Sequence, residues 1–130
     1  MTKRIIVGIS GASGIVYGLR ALQFLGDCGV QTHLVMSKSA KLTLHYELDM
    51  SVATFEALAD EVHPINNIGD TIASGSFRTA GMLIAPCSVR TMSEIATGVT
   101  STLLTRAADV VLKERRRLVL MVRETPLHTG

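Results

Sequence analysis

The sequence predicts an α/β protein built on a mostly parallel sheet, and three observations predict it. Short runs that are apolar throughout alternate with amphipathic stretches, as strands buried on both faces alternate with the helices that cover them. The first run, Arg4 to Ile9, breaks into the small-residue loop Ser10-Gly11-Ala12-Ser13-Gly14 before a helical pattern begins. Hydroxyls and small residues recur after later apolar runs, at Ser37 and at Pro86-Cys87-Ser88, and ligands of such sheets sit beyond the carboxyl ends of the strands.

Taken in order, Arg4 to Ile9 is the first strand, and Leu19, Leu22, Phe24 and Leu25 mark the apolar stripe of the first helix. Gly26 and Gly29 bracket a turn into a second strand, Val30 to Met36. Ser37 stands where a helix N-cap belongs, before a helix from Lys38 to Leu48. Val52, Phe55 and Leu58 share one face of a short helix, and Glu61 to Pro64 reads as a short third strand. Residues 66–77, rich in turn formers, read as a loop. Gly81 to Ala85 is a fully apolar fourth strand, followed by a helix from Val89 to Thr97 that Gly98 closes. Ser101 or Thr102 caps a helix from Leu103 to about Arg115, and Leu118 to Val122 is a fifth apolar strand. The alternation predicts one more helix beyond His128-Thr129-Gly130.

A strand, a tight loop of small residues and a helix place backbone N–H groups and the positive end of a helix dipole at one point, which suits a phosphate. Gly8, Gly11 and Gly14 are spaced G-x-x-G-x-x-G, not the G-x-G-x-x-G of dinucleotide sites, and the second apolar run ends in Ser37 rather than an acidic residue. No Gly-Lys-Ser/Thr follows the loop. A mononucleotide phosphate therefore fits better than NAD or ATP.

Composition narrows the classes. A chain of 130 residues reads as a single domain spanning 1–130, enough to bury about two-thirds of its unfolded surface. A net charge of +2 gives no case for nucleic acid, although Arg106, Lys113, Arg115, Arg116, Arg117 and Arg123 crowd the last quarter. No apolar run approaches the roughly 18 residues of a membrane span, and the N-terminus leads straight into a strand, so the cytoplasm is expected. Cys28 and Cys87 lack metal spacing and are expected to be reduced thiols. His33, His45, His63 and His128 show no ligand spacing either, and no metal is expected. Aromatic content of 4% without Trp argues against a flavin clamped between rings, but not against one held by backbone and aliphatic groups.

The ordered set GISGASG, THLVMSK, ASGSF, a strand closing in PCS, LTRAADVVLKERR and LVLMVRETPLH resembles the UbiX family of flavin prenyltransferases. The resemblance implies a Rossmann-like or flavodoxin-like three-layer sandwich that assembles as a homododecamer. It implies metal-independent transfer of a dimethylallyl group from dimethylallyl phosphate to reduced FMN, the product serving UbiD-type decarboxylases in ubiquinone biosynthesis or aromatic acid decarboxylation. FMN contacts are implied for Gly11, Ala12, Ser13, Ser37, Ser88, Val89, Arg90, Thr91 and Arg123. Ser13 and Glu47 are implied to relay a proton near flavin N5, and Glu124 to pass one to the leaving phosphate. Arg106, Lys113 and Arg123 are implied to hold the phosphate of the prenyl donor, where departing negative charge needs fixed cations. Relative to the family, a C-terminal third is expected to be missing from the chain. Two other readings stand beside this one: an FMN-dependent decarboxylase of the cysteine decarboxylase type, and a non-catalytic FMN-binding fragment. Arg90, where those decarboxylases carry Asn, separates the first of them.

Overall fold

A computed structural model describes residues 2–123. Five strands, β1 (Arg4–Ile9), β2 (Gln31–Met36), β3 (Glu61–Val62), β4 (Gly81–Cys87) and β5 (Arg117–Val122), form one sheet in the order β3-β2-β1-β4-β5. Every pairing is parallel. Among the described residues the helices are α1 (Ile15–Asp27), α2 (Lys38–Leu48), α3 (Val52–Glu56), α4 (Val89–Ala96) and α5 (Leu103–Lys113), with a 3₁₀ turn at Thr71–Ala73. Strand order reverses between β1 and β4, which is the switch point of a doubly wound, Rossmann-like sheet.

The strand alternation of side chains makes two cores, one on each face. Val7, Ile9, Leu34 and Met36 point to one side and pack with Ile15 and Leu22 of α1, Ala40 and Leu44 of α2 and Phe55 of α3. Ile6, Val35, Met82 and Ile84 point to the other and pack with Leu103, Leu104, Ala107, Ala108 and Val111 of α5. The result is a three-layer sandwich whose middle strands are buried on both faces, as their apolar runs require.

Gly18 lets α1 lie directly on the sheet: a Cβ there would stand 2.5 Å from the Ala85 carbonyl oxygen and 2.7 Å from Ile9 Cδ1. The obstacle is backbone, which cannot swing aside. Gly18→Ala is therefore expected to cost about 1–3 kcal/mol despite alanine's better helix propensity, read as a lower midpoint in urea unfolding at unchanged slope.

Several sequence expectations are corrected. The fifth strand is apolar throughout but is not buried on both faces among the described residues: Leu118 and Leu120 pack against a core, whereas Val119 on the opposite face is 54% exposed. The third strand shrinks to Glu61–Val62, and the fourth runs on through Pro86 to Cys87. Arg116, one of the basic residues that crowd the last quarter, donates to the carbonyls of Gly75 (2.8 Å) and Phe77 (3.0 Å). These bonds fasten the ASGSF loop beside the start of β5, at the amino end of the strands. Within this chain that loop is thus a tethered turn at the end of the sheet remote from the strand carboxyl ends, not a surface facing the cleft described below.

Candidate functional site

At the switch point the ends of β1 and β4 are bound to each other through Ser10. Its N–H and Oγ both donate to the Pro86 carbonyl (3.1 Å each), and Oγ accepts from the Ser88 N–H at 2.7 Å. This buried serine fixes the floor of a cleft of about 500 Å³ at the strand carboxyl ends.

Three helices begin at that cleft, each with a hydroxyl N-cap. Ser37 accepts from Ala40 N–H (3.0 Å) at the start of α2, Ser88 from Thr91 N–H (3.1 Å) at α4, and Thr102 from Thr105 N–H (3.3 Å) at α5. Ser37, Ser88 and Thr102 all line the cleft. Each helix start contributes about half a positive charge, so their convergence favours an anion. Gly11 lines the cleft as well, and a Cβ on it would collide with Ser39 Cβ at the head of α2. Glycine is required there for the first loop to approach that helix.

The fourth helix start, that of α1, is capped from outside. Gly14 takes the left-handed conformation (φ 99°) and supplies no side chain, so Glu47 near the end of α2 fills the role. Its Oε1 accepts from Gly14 N–H and Ile15 N–H at 3.0 Å each, and its Oε2 from Ser13 Oγ at 3.2 Å. The predicted Ser13–Glu47 pair is therefore formed, and the same carboxylate satisfies two orphan backbone donors.

Of the other predicted residues, Ser37, Ser88, Arg90 and Thr91 line the cleft with Gly11. Ala12 is buried in the loop, its N–H bonded to the Ser10 carbonyl, and Val89 opens α4. Arg123 bonds through its N–H to the Cys87 carbonyl and lays its guanidinium 5.1 Å from the Tyr17 ring centre. Glu124 lies outside the described residues. Arg106, Lys113 and Arg123 are absent from the cleft's lining among the described residues, so this chain does not gather them around it. Lys113 is 74% exposed and ion-paired with Asp109 at 2.9 Å, whereas Arg106 buries its Nε with no hydrogen-bond partner among the described residues. Cys87 is buried, and burial pushes its thiol up to about 11, which leaves it protonated and poorly nucleophilic at neutral pH.

Sequence reading missed Asn66, Thr102 and Thr105 as parts of the cleft. Thr102 and Thr105 form a reciprocal capping box, and that spacing was the available signal. Asn66 comes from a loop that no periodicity places.

The model of the Flavoprotein family matches residues 1–128. The chain is 61% identical over 127 residues to the flavin prenyltransferase UbiX of Thauera aromatica, covering 98% of this chain and 66% of that one. It is 60% identical over 129 residues to the flavin prenyltransferase UbiX of Escherichia coli K12, covering 98% and 68%. The crystal structure of AnUbiX (PadA1) in complex with FMN and dimethylallyl pyrophosphate is similar with a TM-score of 0.95 at 48% identity, over 99% of this chain and 69% of that one. The peptidyl-cysteine decarboxylase EpiD, at 17% identity and a TM-score of 0.71, shares the fold alone. The chain thus spans about two-thirds of the length of the relatives it matches.

Proposed function

The chain belongs to the UbiX family of flavin prenyltransferases, and from that premise we propose that it transfers a dimethylallyl group from a dimethylallyl phosphate ester to reduced FMN. The observation that carries this reading is the cleft itself, where the N-termini of α2, α4 and α5 meet the Gly11 loop at the switch point. A flavin phosphate fits the converging helix dipoles, and the small residues beside them leave room for a ring.

When bound, the reduced flavin would supply N5 and C6, each of which bonds a different carbon of the dimethylallyl group. The chain's own residues bind, orient and move protons. Ser13 and Glu47, hydrogen-bonded at 3.2 Å, are assigned to a proton relay in which the Ser13 hydroxyl hands a proton on to the Glu47 carboxylate. Arg106 and Arg123 are assigned to the donor's phosphate, where fixed cations stabilise the charge released on departure. Lys113 joins them only by giving up Asp109.

The prenylated flavin is assigned to a UbiD-type decarboxylase as its recipient. Assembly into a homododecamer is proposed by likeness to the dodecameric FMN-dependent UbiX-like decarboxylase from Escherichia coli O157:H7, which has a TM-score of 0.92 at 50% identity. Exposed Phe24 and Tyr46 suit burial between subunits. Among the described residues no helix is long and apolar enough to cross a membrane. The cytoplasm, whose reducing conditions keep exposed Cys28 a thiol, is the proposed location.

The test is the mass of the flavin extracted after anaerobic incubation with reduced FMN and dimethylallyl phosphate. A flavin heavier by one dimethylallyl unit is expected. Unmodified FMN, recovered in stoichiometric amount, would leave flavin binding without prenyl transfer by this chain.

A further inference from the structure

Away from the cleft, at the β2–β3 edge of the sheet, parallel pairing sets His33 opposite Glu61 and brings His63 beside both. His33 Nδ1 stands 2.9 Å from His63 Nε2 and 3.2 Å from Glu61 Oε2, which is 4.0 Å from His63 Nε2. Both rings are buried, while Glu61 is 57% exposed and opens the cluster to solvent.

The outer nitrogen of each ring decides what the inner ones carry. His63 Nδ1 is 2.6 Å from Asp70 Oδ1, and His33 Nε2 is 2.9 Å from Gln31 Oε1. The Gln31 oxygen is identified as such because Arg4 Nε donates to it at 3.2 Å. Both outer partners accept hydrogen bonds, so each neutral ring carries its proton outward. The inner nitrogens then face each other as bare lone pairs beside a carboxylate. Such an arrangement calls for a positive centre between them.

From this we propose that His33, His63 and Glu61 form a divalent transition-metal site of the zinc class, independent of the prenyl-transfer chemistry. The three donor separations bracket the roughly 3.3 Å expected between ligands of a tetrahedral zinc with bonds of about 2.0–2.1 Å. Imidazole and carboxylate donors suit zinc over calcium or magnesium. Outer hydrogen bonds from both histidines to acceptor oxygens are the arrangement that orients metal-binding imidazoles. Burial, followed by His63 and Arg4, holds His33 below its ordinary pKa, which keeps its lone pair available at neutral pH. A bound metal would pin the two-residue strand β3 and the Asp70 turn to β2. The fourth position is left open on the Glu61 side.

The test uses the whole chain, stripped with chelator and titrated with Zn²⁺ by calorimetry, in a Cys28→Ser background that removes the exposed thiol. One Zn²⁺ per chain is expected, with a rise in Tm on binding. Glu61→Gln, at an exposed position outside the cleft, should weaken binding at least tenfold, and Asp70→Asn by about 10–100-fold, while FMN binding by both variants stays unchanged. Co²⁺ in place of Zn²⁺ should give the visible absorption of a four-coordinate nitrogen and oxygen site. Absence of saturable binding would overturn the proposal and leave a shared proton between the rings. Binding that is indifferent to both Glu61→Gln and His63→Gln would overturn it equally, by placing the metal elsewhere.

Discussion

Glu47→Gln is expected to slow flavin prenylation by about 10²–10⁴-fold, the range that a positioned proton acceptor contributes. The amide keeps the shape and one acceptor oxygen, which in the place of Oε1 keeps the N–H groups of both Gly14 and Ile15 partnered. Its NH₂, in the place of Oε2, can donate to the Ser13 hydroxyl but cannot take a proton from it. The substitution also removes a negative charge from the N-terminus of α1, which should cost about 0.3–1 kcal/mol of stability. Two readouts separate these effects. Single-turnover rate at saturating FMN reports the proton, and thermal unfolding reports the cap. If the rate stays at the wild-type level while the midpoint falls, Glu47 is a helix cap and not part of the chemistry.

Arg106→Met is expected to move activity and stability in opposite directions. Turnover of the prenyl donor should fall by about 10²–10³-fold, as when a fixed donor to developing charge is removed. Stability should hold or rise, because the Nε of Arg106 is buried without a hydrogen-bond partner among the described residues, and such a group costs about 1–3 kcal/mol. Methionine keeps the apolar stem and drops the unsatisfied polar atom. Lys113→Met makes the contrast, since its charge is already committed to Asp109 on an exposed helix face; a surface pair of this kind is worth about 0–1 kcal/mol. The measurement is steady-state kinetics in the prenyl donor beside urea unfolding. A marked loss of stability in Arg106→Met with normal turnover would return Arg106 to a structural role.

Much of the scaffold was legible because the signals were local. Ser37 read as a cap from position alone and Thr102 as one of two candidates, and each accepts an N–H three residues on. The Ser10–Gly14 loop read as a phosphate turn from its lack of bulk. What stayed hidden depends on partners distant in sequence. An apolar run such as Leu118 to Val122 states what it is made of, not whether it lies in the middle of a sheet or at its edge. Only the family resemblance singled out Glu47, and nothing in its sequence neighbours tells that α2 brings it over Gly14, 33 positions away. His33 and His63 have no motif spacing because a two-residue strand, not a helix, puts them together. Arg116 lay within a run of basic residues whose average is a solvated face, and only the Gly75 and Phe77 carbonyls distinguish it.

The two cores differ in how the chain supplies them over time. Every buried member of the α1–α2–α3 side falls between Val7 and Phe55. The opposite side draws on Ile6 and Val35 but waits for side chains as late as Val111. During synthesis, therefore, the first layer has its whole complement while the second is still being made, and its contacts are the more local and the quicker to close. The cleft borrows walls from both sides, Ser37 from the early one and Thr102 from the late one. An anion in this cleft thus meets the N-termini of α2, α4 and α5 together only once α5 has docked, so capture there follows the later layer and not the earlier one.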